Sequence, residues 1–300
     1  MKADRQAQGV LVVDKPCGVS SRGVVNRVGR AVGMRTVGHA GTLDPLASGV
    51  VVICLGKVTK LVDFIHQLPK SYRGGFLLGR SSPSDDIETE VSVETDPVWP
   101  TKAVIEQAAA TQRGEILQRP CDYSAKQVGG QRAYRLARLG KPVVLTPKRV
   151  RIDRLDVVAY DWPRLELEID CSTGTFIRAI GRDLAAAAGT TAVMESLVRT
   201  AVGPFSLAKA VPLAAITPDE DGHAAVLAAI EPAQAAVAHL PCHRLDREAA
   251  AIAAAGGLLD IHATHETLAA RTADGGLAGI LRRLPNGRYR LRPNLIAAAS

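Results

Sequence analysis

One stretch of this chain carries the residue types needed for covalent chemistry: Gly38-His39-Ala40-Gly41-Thr42-Leu43-Asp44-Pro45-Leu46-Ala47-Ser48-Gly49. A carboxylate stands between a Leu and a Pro in a Gly-rich loop, and the loop feeds the apolar run 50–55. Proline disfavours helical backbone angles in the residue before it, so Asp44 is expected to be extended and to project from the mouth of that strand. An ionised carboxylate can serve as a covalent nucleophile at sugar and related carbon centres. Burial alone would raise its pKa and neutralise it, so this chemistry also demands a fixed cation close by. Arg178 is the candidate. It follows Ser172-Thr173-Gly174-Thr175, in the first turn of a predicted helix capped by Thr173 or Thr175. There the helix dipole disfavours positive charge unless a carboxylate compensates it. Tyr72, ahead of Gly-Gly-Phe-Leu-Leu, offers an aromatic face and a hydroxyl able to move a proton. His39 lies five residues before Asp44.

The surrounding periodicities predict the elements that hold these groups. Residues 10–13 form a short apolar strand that ends in the turn Asp14-Lys15-Pro16-Cys17-Gly18. Ser20 or Ser21 then caps a helix with Val24, Val25, Val28 and Val32 on one face and Gly33 as its stop. Arg22, Arg27, Arg30 and Arg35 lie off that stripe. Residues 37–48 read as a loop and 50–55 as a buried strand. The insertion 80–90 is too charged and Ser-rich to be core. Residues 101–113 open like a capping box and read as a helix. Leu165, Leu167, Ile169 and Cys171 alternate with acids, the period of a half-buried strand, and a helix bearing Ile177, Ile180 and Leu184 follows. Residues 212–240 are helical in pieces, and 245–255 form a short helix. Runs 277–283 and 288–292 flank Pro285-Asn286-Gly287 as a hairpin, with Arg288, Arg290 and Arg292 on one face and Tyr289 and Leu291 on the other.

Composition narrows the class. Hydrophobic residues make up 47% of the 300 and charged residues 22%, values of a soluble globular protein. The net charge of +7 favours a polyanionic partner. Ten Lys and Arg between positions 113 and 151, against Glu115 and Asp122 alone, suggest a stripe that tracks a phosphate backbone. Five scattered cysteines without a Cys-x-x-Cys pair argue against a disulfide framework and a structural zinc. His262 and His265 lack the surrounding ligands of a metal site, so no metal is expected. The start MKADRQAQG has no apolar signal stretch, and no run is long enough to span a membrane. A cytoplasmic protein with no membrane contact is expected.

The loop 38–49 closely resembles the catalytic motif of the bacterial tRNA pseudouridine-55 synthases, the family that includes the dyskerin-type enzymes. The resemblance runs in order over about residues 9–205. It takes in Gly9-Val10-Leu11-Val12-Val13-Asp14-Lys15-Pro16 with Ser20 and Ser21, and Lys70-Ser71-Tyr72-Arg73. It continues through Tyr123-Ser124-Ala125 with Arg132-Ala133-Tyr134, and through Gly174-Thr175-Phe176-Ile177-Arg178. The resemblance implies that Asp44 is the nucleophile, attacking either C6 of the base or C1′ of the sugar, and that Arg178 pairs with it. Tyr72 is then the residue that stacks on the target base and accepts the C5 proton. His39 enters the T loop and stabilises the extruded base, Lys15 supports the loop or the RNA backbone, and Leu197 lines an apolar pocket. Arg132 and Tyr134 are implied RNA contacts. Breaking the N-glycosidic bond, turning the base and rejoining it through C5 calls for no external electron, phosphate or metal, so no cofactor is expected.

Two positions depart from the family pattern. Phe176 stands where Tyr is common, and Lys126 comes one place early after Tyr123-Ser124-Ala125. His243-Arg244-Leu245-Asp246 copies a signature of the ribosomal-RNA pseudouridine synthases, but the helical Arg-Glu-Ala-Ala-Ala-Ile follows it, so Asp246 reads as a helix cap. The expected architecture is a mixed α/β (α+β) pseudouridine synthase fold around a large, mainly antiparallel sheet, with a small C-terminal PUA-like β domain. Its expected divisions are a leader at 1–8, a catalytic domain at 9–240 and an RNA-binding domain at 241–300. The expected substrate is the T arm of tRNA, taken by a monomer that needs no protein partner. An RNA-guided synthase and a non-catalytic RNA-binding or tRNA-folding protein are the alternatives.

Overall fold

The two apolar runs near the start pair with each other. Gly9–Lys15 and Ser48–Leu55 form an antiparallel ladder from Gly9 opposite Leu55 to Lys15 opposite Gly49. Their side chains alternate between two covered faces: Leu11, Val13, Val51 and Ile53 turn to one core, and Val10, Val12, Val50 and Val52 to another. Burial on both sides is why these strands are continuously apolar rather than alternating. The computed structural model describes residues 8–124, 126–128, 130–141 and 143–296, so the expected leader, apart from Gln8, lies outside the described residues.

The large sheet runs in the order Val211–Pro212, Gly9–Lys15, Ser48–Leu55, Ala192–Val202, Lys70–Leu78, Arg164–Cys171, Lys148–Asp161, Gly114–Gln118. Phe205–Ser206 and Val37–His39 attach to its side. Gly9–Lys15 with Val211–Pro212, and Ser48–Leu55 with Ala192–Val202, pair parallel; the other described pairs of this sheet are antiparallel. Residues 37–39, read above as loop, are therefore strand: Val37, Gly38 and His39 lie opposite Leu55, Cys54 and Ile53. Three residues are too few for periodicity to show.

Three helices cover one face. Ser21–Ala31 buries Val24, Val25 and Val28, is capped by the Ser20 hydroxyl accepting from the Gly23 N–H, and stops before Gly33 at φ 65°. Lys102–Thr111 contributes Ile105 and Ala109, and Ile177–Ala187 contributes Ile180 and Leu184. The last packs closely because of Gly181: a Cβ there would lie 2.1 Å from the Phe76 ring. Neither Thr173 nor Thr175 caps it. Phe176 is its N-cap without a side-chain bond of its own. The buried Gln118 amide instead grips the Phe176 backbone, accepting from its N–H at 2.8 Å and donating to its C=O at 3.1 Å.

The opposite face is covered by Phe64 and Ile65 of the short helix Val62–His66, and by Ala269 and Ile280 from the C-terminal region. That region forms its own five-stranded sheet in the order Cys242–Arg244, Thr267–Arg271, Leu277–Arg283, Tyr289–Asn294, Leu258–Leu259. Leu245, Leu268, Leu281, Tyr289 and Leu291 make a separate core there. Asp246 caps the helix Arg247–Ala254 through the Ala249 N–H, as its sequence context implied.

Candidate active site

The loop carrying Asp44 is fixed from four directions. Ser21, buried at the start of its helix, accepts from the Leu43 N–H at 2.8 Å and donates to the Leu43 C=O at 3.1 Å. The Gly18 N–H donates to the Pro45 C=O, and the Lys15 ammonium to the Ala47 C=O. On the other side Arg199 donates through Nε to the Val50 C=O at 2.7 Å, through Nη1 to Thr42 at 3.1 Å and through Nη2 to Gly41 at 3.2 Å. Where the loop turns into its strand, Gly49 adopts φ 99°, and a Cβ there would lie 2.3 Å from the Arg199 carbonyl oxygen. Only glycine fits that junction. The Asp44 side chain, so framed, remains 47% exposed.

Arg178 meets it from below. Arg178 is 7% exposed and lies in the first turn of its helix. Nη2 reaches Asp44 Oδ2 at 3.4 Å and the Tyr123 carbonyl at 2.9 Å. Nη1 donates to Asp86 Oδ2 at 3.0 Å and to the Ser84 carbonyl at 2.8 Å. Asp86 is 2% exposed, and its second oxygen accepts from the Ser84 hydroxyl and the Glu88 N–H. Burial works against the Arg178 charge, but Cys121 and then the carboxylates Asp44, Asp86 and Asp85 more than offset it and hold the guanidinium above its ordinary range.

The insertion 80–90 is therefore part of this support, and Ser84 and Asp86 are buried although its charge and serine content read as unsuited to a core. Its helix partner explains why: Arg178 and Arg182 are one turn apart, and the adjacent Asp86 and Asp85 take one each, the second pair at 3.0 Å. Asp85 sits at φ 59° in that turn, an uncommon conformation for a residue other than glycine.

Tyr72 stands on the strand Lys70–Leu78, opposite Ile169 on one side and Arg199 on the other. Its phenol is pushed up by burial, pulled down by the charge of Arg199 and by hydrogen bonding to it, and pushed up again by Cys171 and Asp44. Leu197 is buried two positions before Arg199, opposite Gly74, in the same core that Tyr72 packs against. Asp44, Arg178, Tyr72 and Leu197 thus come from a loop, a helix and two neighbouring strands.

The remaining predicted residues are arranged differently. Lys15 is fully buried beneath the loop, its ammonium directed at the Pro16 and Ala47 carbonyls and lowered in pKa chiefly by burial. Of the two roles implied for it, this position suits support of the loop, with no surface for an RNA backbone to meet. His39 is half-buried, and its Nδ1 has no hydrogen-bond partner among the described residues. Burial, then the charges of Arg199 and Arg22, keep this imidazole below its usual pKa. Tyr134 is exposed on the helix Ala133–Arg138, under the Arg138 guanidinium. Its N–H donates to the Ser124 carbonyl, next to the Tyr123 carbonyl that holds Arg178. The side chain of Arg132 lies outside the described residues.

The basic stripe is less open than its sequence suggests. Arg113, Arg119, Arg149 and Arg151 pair with Asp156, Asp122, Glu115 and Asp153. A different surface is better supplied. Two adjoining depressions share Gly33, Met34 and Arg35 and form a groove lined by Arg22, Asn26, Arg30, Arg35, Lys57 and Lys60, with no Asp or Glu among the described lining residues. Val37, two residues from His39, borders it.

The chain is similar to several known proteins. The family signature described as TruB family pseudouridylate synthase (N terminal domain) matches residues 29–177. The chain is 44% identical over 212 residues to a tRNA pseudouridine synthase B of Mycobacterium sp. strain KMS, covering 69% of this chain and 71% of that one. It is 40% identical over 250 residues to the protein of the same name from Gluconacetobacter diazotrophicus, covering 83% and 81%. Among solved structures, a chain of an H/ACA RNP bound to a substrate RNA containing 2′-deoxyuridine superposes with a TM-score of 0.74 over 98% of this chain and 87% of that one. A chain of an archaeal box H/ACA sRNP Nop10-Cbf5 complex does so with 0.73, over 97% and 87%. Both structural likenesses come at 21% identity, which shows a shared fold and nothing finer.

Proposed function

Since the chain belongs to the TruB family of pseudouridylate synthases, we propose that it isomerises a uridine of tRNA, position 55 in the T loop, to pseudouridine with Asp44 as nucleophile. The observation that carries the reading is the pairing of the buried Arg178 with the half-exposed Asp44 at 3.4 Å. A guanidinium fixed by Asp86 and two carbonyls places a permanent positive charge beside the half-exposed Asp44 carboxylate. Attack by that carboxylate, at C6 of the base or C1′ of the sugar, releases the N1 bond and lets the ring turn so that C5 joins C1′. C5 displaces the Asp44 carboxylate from C1′ on the sugar route; on the base route the carboxylate leaves C6 in the last step. In the last step of either route the proton on C5 moves to the Tyr72 oxygen, and the electron pair of the C5–H bond restores the C5=C6 double bond. N1 ends with a proton, so that Asp44 is freed and the base is isomerised without net gain or loss of atoms. The residues at the site supply nucleophile, cation and proton acceptor.

The base must leave the helical stack to reach Asp44. His39, with a ring nitrogen free of any described partner, supports a role in filling the space the base vacates. Leu197 and Tyr72 form an apolar floor and an aromatic face for the uracil ring. The acid-free groove from Arg22 to Lys60 supports recognition of the T arm through its phosphates. The C-terminal five-stranded sheet exposes Arg290 and Arg292 and buries Tyr289 and Leu291, a pattern suited to a PUA-like RNA-binding domain. A monomer acting without a protein partner completes the proposal.

The test is a carbodiimide-based pseudouridine map of an unmodified tRNA transcript incubated with wild type and with Asp44→Ala. A single stop in the T loop that disappears with the variant is the expected result. Binding without conversion by wild type would overturn the proposal in favour of an RNA-guided or non-catalytic protein.

A further inference from the structure

Among the described residues Arg199 is the largest fully buried side chain, 2% exposed, and no carboxylate there pairs with it. A buried guanidinium without a counter-ion is costly, and its neighbours make the cost greater: Lys70 and Lys15 are buried cations close enough to act on it electrostatically. A hydrophobic residue would fill the same strand position without that penalty. The arrangement around the guanidinium indicates what it provides.

Three of its five N–H donors are engaged by the carbonyls of Gly41, Thr42 and Val50, which lie on both sides of Asp44 in the chain. Its backbone is built into the same junction, because Arg199 pairs with Gly49 on one edge of its strand and with Tyr72 on the other. Arg199 and Tyr72 are directly opposed cross-strand neighbours, which places their side chains side by side on one face of the sheet, and the guanidinium charge bears on the phenol. Arginine has donors and no acceptor, so towards the phenol oxygen it can only donate, and its charge favours the ionised form. One residue therefore holds the nucleophile's loop through its side chain and stands beside the aromatic residue on the neighbouring strand.

We infer that Arg199 is a positioning residue, which sets the distance between Asp44 and Tyr72 and orients the Tyr72 oxygen to receive the C5 proton. The inference rests on the proposed function for the identity of that proton. The groups facing the phenol are Arg199 from the strand Ala192–Val202, Asp44 from the loop and Cys171 from the strand Arg164–Cys171. Arg199 is the one that favours the phenolate; the other two oppose it.

Full-length protein carrying 3-fluorotyrosine, whose phenols ionise in an accessible range, gives a direct reading. The Tyr72 fluorine resonance is identified by its loss in Tyr72→Phe and titrated in wild type, Arg199→Met and Arg199→Lys. Single-turnover conversion of a tRNA transcript is followed over the same pH range. The expected result is an upward move of the Tyr72 titration by about one pH unit in Arg199→Met. The alkaline rise of the rate should move with it, the rate at neutral pH should drop about 100-fold, and tRNA affinity should be unchanged. Should Arg199→Met not fold, Arg199→Lys decides, since a single ammonium cannot bridge the loop carbonyls and the phenol together. A folded variant with an unmoved Tyr72 titration would overturn the inference, whatever its rate. A wild type that leaves uridine unconverted would instead sink the proposed function, while the fluorine titration still judged the link between Arg199 and Tyr72.

Discussion

Arg178 lies nearer to Asp86 than to Asp44, at 3.0 Å against 3.4 Å, and Asp86 is buried whereas Asp44 is half-exposed. The cation is thus held in place from behind by a carboxylate that cannot reach substrate. Asp44 is left with a fixed positive neighbour and the freedom to react.

Replacing Asp86 with Asn keeps the shape of that support and removes its charge. Leaving one partner of a buried pair uncompensated costs about 3 kcal/mol. Asp86→Asn should therefore unfold at lower urea concentration and convert tRNA about 100-fold more slowly, with tRNA affinity unchanged, as denaturation and single-turnover assays would read. Wild-type rate in this variant would remove Asp86 from the account.

Ser21 is a possible helix cap by sequence, but its hydroxyl bridges both polar groups of Leu43. Ser21→Ala leaves a buried N–H and C=O without that partner, at about 1–3 kcal/mol. The loss should be visible in thermal unfolding and in a slower conversion, because Leu43 directly precedes Asp44 in the loop.

Lys70 gives a pH dependence of defined sign. Burial first, and the Arg199 charge second, lower its pKa to about 8. An unfolded lysine keeps its proton to about pH 10.4. Between these values the unfolded chain binds more protons, so the penalty of this buried ammonium is present below pH 8 and fades as pH rises towards 10. Compared with Lys70→Met, wild type should gain stability from pH 8 to pH 10, by no more than about 1.4 kcal/mol per pH unit. Parallel urea curves at the two pH values would check it, and a flat difference would contradict the assignment.

The groove makes a binding prediction separable from chemistry. Arg35→Glu and Lys60→Glu should weaken tRNA binding and flatten its dependence on log salt by about 0.7–0.9 for each phosphate no longer neutralised. Conversion of pre-bound tRNA should stay close to wild type, because neither residue touches Asp44, Arg178 or Tyr72 in the described structure.

Legibility in the sequence falls with separation along the chain. The Asp44 loop, the alternation of 165–171 and the stripe of helix Ser21–Ala31 are local patterns, and local patterns survive in sequence. Asp86 reads as surface because nothing within the insertion 80–90 reveals that Arg178, 92 residues on, draws it inward. Arg199 is hidden for the same reason. Its one signal is an Arg alternating with the apolar Leu197 along a strand. Thr173 and Thr175 are both good cap residues for the helix Ile177–Ala187, yet the actual grip on Phe176 comes from Gln118, 58 positions away.

Ala269 and Ile280 of the C-terminal sheet sit in one apolar cluster with Val50, Val52 and Cys54 of the large sheet. Lys57 adds a bond to the Leu295 carbonyl, and Arg282 lies over the Phe64 ring. Synthesis delivers these covering residues more than two hundred positions after the strands they shelter. Until they emerge, the part of that face left open by Phe64, Ile65 and Phe205 stays exposed as aliphatic surface of the kind that chaperones hold and neighbours stick to. A chain cut near residue 240 would keep that surface permanently, so it should aggregate even though every residue proposed for catalysis is still present.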